Sequence, residues 1–185
     1  MAPLGSGTRV LSTEQLAVEV ASGAPLPELP SPVLLGFGEV LHAEAEFVGW
    51  RFRAADVIYE QYRPMATGLL TFGLSAVAAA IGNRRAMREA EQLAAPQWRA
   101  LGLMPALATN QRLLVFQEGA WQSVWYSAIR QLLPRPAEQR LELIFEADAP
   151  YLLVGEWVPY LTVVITTVLA GGLGVDAVAA MLQIA

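Results

Sequence analysis

Apolar and polar residues alternate from Glu39 to Arg53. Leu41, Ala43, Ala45 and Phe47 fall on one side, and His42, Glu44 and Glu46 on the other. A period of two predicts one long half-buried strand or a bent pair. Gly49 interrupts the alternation and marks an expected bulge or bend. Trp50 and Phe52 then continue opposite Arg51 and Arg53. From Met65 the period lengthens. Leu70, Leu74, Val77 and Ile81 stand at i, i+4, i+7 and i+11, the spacing of a helical face, and the helix is expected to run past Arg84 and Arg85 to about Ala94. Arg85–Glu89 and Arg88–Glu91 support its charged second half, and Pro96 ends it.

Two β-type runs, Thr109 to Phe116 and Trp121 to Ile129, flank Glu118-Gly119 and predict a hairpin. Pro134 and Pro136 separate it from Arg140 to Glu146, where Leu141, Leu143 and Phe145 alternate inward. Tyr151 to Val154 reads as a further short strand. Pro159 opens an apolar helix, Tyr160 to Ala170, which Gly171-Gly172 ends; Asp176 caps a last turn over Ala177 to Ile184. At the other end, Ser12-Thr13-Glu14-Gln15 has the form of a capping box for a helix through Ala21, with Leu16 and Val20 on its apolar side. Pro25, Pro27, Pro30 and Pro32 make the next stretch an extended linker. Residues 1–32 are therefore expected to form an N-terminal helix and linker. Residues 33–185 form one domain with a helical insertion at about 57–103.

Composition removes several chemistries. All 12 basic residues are Arg, so a Schiff-base lysine and a phosphate loop ending in Gly-Lys are excluded. With no Cys and one histidine, His42, disulfides, thiolate nucleophiles, Cys-ligated zinc and His-rich metal sites are excluded as well. Neither a metal nor a cofactor is expected. A net charge of −5 argues against nucleic acid, which needs a basic stripe. The first residues lack a basic segment followed by an apolar one, so no secretory signal is read and a cytoplasmic chain, free or peripheral at the membrane, is expected. The hydrophobic fraction of 55% is high for a soluble domain, which leaves partner or bilayer contact open.

The run Ala108-Thr109-Asn110-Gln111-Arg112-Leu113-Leu114-Val115 resembles the Thr-x-x-Arg-Leu hairpin opening of bacterial pleckstrin-homology-like and GRAM-like domains. The Trp121…Trp125-Tyr126-Ser127…Ile129 strand, the Leu141 to Phe145 strand and the helix after Pro159 follow in that family's order. The resemblance covers about residues 38–60 and 100–172. It implies an α+β fold, a PH-like antiparallel β-barrel or sheet with a C-terminal capping helix, here with an inserted long helix. It also implies a module that binds phosphoinositides or proteins. Family members often bind lipid head groups through basic residues near the first strand connection, where this chain offers Arg51 and Arg53.

Three functional classes follow. The first is a non-catalytic recruitment module contacting a protein partner or an anionic membrane surface, with Arg51, Arg53, Arg84, Arg85 and Arg88 as contact residues. Each basic side chain at an anionic surface adds about 1 kcal/mol. Homo-oligomerisation is compatible with it. The second is a small-molecule-binding or cyclase-type enzyme, its pocket lined by Trp50, Trp121 and Trp125 with Glu44 and Glu46 for acid–base work. The third is an integral membrane protein with two short spans, Met65 to Gly82 and the segment from Tyr160. The former spans ~27 Å as a helix, slightly short of a ~30 Å hydrocarbon core.

Overall fold

The computed structural model describes residues 11–54 and 95–171. The expected long helix, with Arg84, Arg85 and Arg88, and the turn after Asp176 lie outside the described residues. The chain divides into two compact units, residues 1–51 with 100–185, and residues 52–99.

Two α-helices and seven strands are present among the described residues. In order they are α1 (Thr13–Ala21), β1 (Leu41–Arg53), β2 (Gln97–Thr109), β3 (Arg112–Gln117), β4 (Ala120–Trp125), β5 (Ile129–Arg135), β6 (Arg140–Phe145), β7 (Tyr151–Val154) and α2 (Val158–Ala170). The strands form one sheet in the order β4-β3-β2-β1-β7-β6-β5. The five strand pairs with a described register are all antiparallel. The fold is α+β, and the sheet is open, with β4 and β5 at its two edges.

Local chemistry explains most of these boundaries. Ser12 caps α1 as a full capping box: the Gln15 N–H donates to Ser12 Oγ (3.2 Å) and the Ser12 N–H to Gln15 Oε1 (2.9 Å). Glu118 and Gly119, at φ 52° and 83°, make a two-residue connection closed by the Gln117–Ala120 pair. Left-handed backbone at both loop positions matches the twist of the flanking strands. Gly171, also left-handed, ends α2.

Four expectations need correction. Gly49 is neither bulge nor break, because the β1–β7 register runs through Gly49–Leu153 without a shift. A Cβ there would lie 2.8 Å from Tyr151 Oη and 3.0 Å from Met104 Cε, so the glycine makes room for two core side chains. The run from Trp121 to Ile129 is not one strand. Tyr126 keeps the last rung of the β3–β4 ladder, its N–H donating to the Gln111 carbonyl (3.1 Å), and then turns away in a 3-10 turn, Tyr126–Ala128, that buries its side chain in the core. Pro134 does not separate strands but lies inside β5, where an edge position tolerates its missing N–H. Residues 97–103, read as insertion, lie in β2.

The main core lies between one face of the sheet and the two helices. Ala43, Ala45 and Phe47 of β1 meet Leu113 and Val115 of β3, Leu141 and Leu143 of β6, and Leu153 of β7. α2 covers them with Tyr160, Leu161, Val164 and Ile165, each effectively inaccessible to water. Burying side chains of this size yields about 1.5–3 kcal/mol apiece. Thr162 and Thr167 sit in this apolar helix by returning their hydroxyl protons to the carbonyls of Val158 and Val163, four residues back. α1 packs on α2 and contributes Leu16 and Val20 to the same core. No helix among the described residues is long and apolar enough to cross a membrane.

A smaller cluster joins Leu41, Leu107 and Leu114, and the proline-rich segment covers it with Leu29, Val33 and Leu35. The Leu29 N–H donates to the Leu41 carbonyl (2.8 Å) and His42 Nδ1 lies 2.8 Å from the Pro27 carbonyl. The linker is thus strapped to the sheet. Leu16→Ala should cost about 2–5 kcal/mol in urea denaturation, as a core truncation does, whereas Val18→Ala, at a position 69% exposed on the same helix, should change stability by less than about 0.5 kcal/mol.

Candidate functional site

The densest polar network begins where the chain turns into β1. Glu39 is the last acidic residue before the strand, and its side chain is only 1% exposed. Arg112, the first residue of β3, reaches it with both arms of its guanidinium. Nε donates to Oε1 and Nη2 to Oε2, each at 2.8 Å. The Gly36 N–H adds a 2.8 Å bond to Oε2 and the Thr109 hydroxyl a 2.9 Å bond to Oε1. Four donors therefore converge on one carboxylate. The Thr109 oxygen in turn accepts the N–H groups of Gln111 and Arg112, both at 3.1 Å, which shapes the β2–β3 turn.

Asn110 completes the clamp. Its Oδ1 accepts the Val40 N–H, its Nδ2 donates to the Gly38 carbonyl, and its own N–H donates to the Val40 carbonyl, at 3.0, 3.0 and 3.1 Å. The Thr109-Asn110-Gln111-Arg112 run is thus a turn that grips residues 36–40, not the body of a strand. Arg112 also donates to Ser123 Oγ (2.8 Å) and stacks 4.8 Å above the Trp125 ring, so the clamp extends onto β4.

Charge follows this geometry. The Arg112 hydrogen bonds hold the Glu39 carboxyl at about 2, well below its usual value, with Gly36 and Thr109 assisting and burial opposing. Glu39 raises the Arg112 pKa in return. Tyr126 is buried with a hydroxyl that has no hydrogen-bond partner among the described residues. Burial first, and the Glu39 charge second, push its pKa up.

The expected contact residues are placed as follows. Arg51 lies 5.1 Å over the Tyr151 ring and 5.8 Å over Phe145, and donates to the Ala149 carbonyl (2.6 Å) and Asp148 (3.0 Å). Burial pushes the neighbouring Tyr151 hydroxyl up to about 12, the Arg51 charge acting against it. Arg53 is exposed at the end of β1, and its carbonyl accepts from Arg99 Nε (3.2 Å) in the unit of residues 52–99. Trp121 packs edge-on against Phe116 (5.3 Å between centroids). It shares β4 with Trp125, which is 45% exposed. Trp50 stands on β1, three strands away, or about 14 Å at normal strand spacing. Glu44 is half-buried and Glu46 exposed, both on the β1 face opposite Ala45 and Phe47. Among the described residues, no three His, Asp or Glu side chains converge closely enough to hold a metal ion.

Sequence reasoning missed the pairing of Glu39 with Arg112. Thr109 and Arg112 carried a signal as a motif, but 73 residues separate the ion pair and nothing in one sequence links its halves. Arg112→Ala should cost about 3–5 kcal/mol, because it leaves a buried carboxylate unpaired. A carboxyl lowered from 4.5 to about 2 contributes stability that is present above about pH 4.5 and is lost as the pH falls toward 2. Urea midpoints of the wild type should therefore drop across that window, and a Glu39→Gln variant, weaker at neutral pH, should show a flatter acid limb. Comparison with protein-family models, with characterised proteins and with solved structures returns no match for this chain.

Proposed function

We propose that this chain is a non-catalytic binding module of the bacterial pleckstrin-homology-like, GRAM-like kind, which docks on a protein partner through the loop carrying Leu34 and Phe37. The order of antiparallel strands and the apolar helix after the last strand support the kinship.

One observation carries the docking reading. Leu34 and Phe37 are at or near full exposure, yet they flank Gly36, whose N–H is fixed on the Glu39 carboxylate. Val33 and Leu35 on the same segment pack against the sheet, and Ser31 Oγ bonds the Val33 backbone at both its N–H and its carbonyl. Two large apolar side chains are thus held out on a braced loop, which reduces the ordering cost of binding. Exposed anchors of this type suit a pocket on another protein.

Charge favours protein over bilayer. From Val10 to Trp50 the chain carries Glu14, Glu19, Glu28, Glu39, Glu44 and Glu46 but no Arg or Lys. An anionic surface would repel that segment. Elsewhere in the unit of residues 1–51 and 100–185, Arg51, Arg112, Arg130, Arg135 and Arg140 each hold a carboxylate of the chain itself. The pocket reading has less support, since Trp50 stands three strands from Trp121 and Trp125.

The test is differential capture. Wild type and a Val18→Ser control should retain the same partner band from native extract, and a Leu34→Ser, Phe37→Ser double variant of unchanged thermal midpoint should lose it at least tenfold. Equal capture by all three, or flotation of wild type with anionic vesicles that the double variant loses, would overturn the protein-docking reading.

A further inference from the structure

The two edges of the sheet are treated differently. β5 carries Arg130, Pro134 and Arg135, and its register against β6 slips between Ile129 and Gln131. Charges, a proline and an irregularity are the usual defences of an edge against added strands. β4, Ala120-Trp121-Gln122-Ser123-Val124-Trp125, has none of them, and Ala120, Gln122, Ser123 and Trp125 are exposed.

The outward backbone groups of β4 follow from the hairpin. A two-residue loop makes Gln117–Ala120 a hydrogen-bonded pair, and bonding alternates along the ladder. Ala120, Gln122 and Val124 therefore point their N–H and C=O groups at β3. Trp121, Ser123 and Trp125 point theirs at the open edge.

These three residues are symmetric about Ser123. Their side chains also share one face, the one on which Arg112 stacks on Trp125 and Phe116 meets Trp121. We infer that β4 pairs antiparallel with β4 of a second copy of this chain, about a two-fold axis through Ser123. That register joins Ser123 to Ser123 of the second copy, and sets each Trp121 opposite the other copy's Trp125. About six backbone hydrogen bonds close the seam, because every outward pair is of the bonded type. The row Arg112, Trp125, then Trp121 and Phe116 of the second copy continues the aromatic contacts across the axis. No like charges face each other, since β4 is uncharged. The defended β5 edge stops growth at two copies.

This inference is independent of the docking loop, and its test does not involve Leu34 or Phe37. Sedimentation of the full chain over a concentration series should show twice the 20.0 kDa chain mass. Ser123→Ala, which loses only the Oγ that accepts from Arg112, should keep that mass, whereas Ser123→Pro, which also removes an outward N–H, should halve it while the circular dichroism spectrum is kept. If that variant does not fold, hydrogen exchange on the wild type decides. The Trp121, Ser123 and Trp125 amides should gain protection as concentration rises. A monomer at every concentration, a dimer that persists in folded Ser123→Pro, or concentration-independent exchange at those amides would overturn the inference.

Discussion

A buried carboxylate with four donors is a constraint before it is a stabiliser. Glu39 must lose its water for β1 to begin where it does, and only Arg112 supplies a compensating charge in the right plane. A fork-on-carboxylate pair fixes direction as well as distance. Replacing both partners with apolar groups can be close to neutral in such pairs, so the value of this one lies in what it positions. It locks the proline-rich strap, the start of β1 and the β2–β3 turn into one arrangement. Leu34 and Phe37 are presented by that arrangement, and Trp125 is stacked on its far end.

The sheet then divides labour between its faces. One face is apolar and closed by α1 and α2, and among the described residues its unpartnered buried polar atoms are the hydroxyls of Tyr126 and Thr166. The other face is mixed: Leu107 and Leu114 lie under the strap, while Arg112, Ser123 and Trp125 remain partly accessible. The second face is the one that folding leaves partly accessible, because α1 and α2 cover the first. The described arginines of the unit of residues 1–51 and 100–185 are likewise occupied, with Arg51 pinned between Asp148 and two aromatic rings.

Period and punctuation made much of this fold legible. The capping box at Ser12, the alternation of β1 and β6, the Glu118-Gly119 turn and the stop at Gly171 are short-range signals, and the structure has each of them. Failures came where a residue serves a distant neighbour. Gly49 looks like a break until Tyr151 and Met104 are seen in the space it leaves. Tyr126 looks like strand until its burial pulls the backbone aside. Pro134 looks like a boundary because edge position is a property of the sheet, not of β5 itself. Of the candidate site, the Thr109 and Arg112 motif was visible and its partner Glu39 was not. The solvent-exposed loop gave no signal, since exposure of Leu34 and Phe37 depends on which neighbours pack downward.

The contact between α1 and α2 has a consequence for biosynthesis. Leu16 lies near one end of the described chain and Ile165 near the other, yet both belong to one core. Until α2 clears the ribosome, the apolar face of the sheet has no cover and α1 has nothing to pack against. Native closure of this unit therefore waits for α2, and the nascent chain emerges first as a greasy, strand-rich intermediate of high contact order.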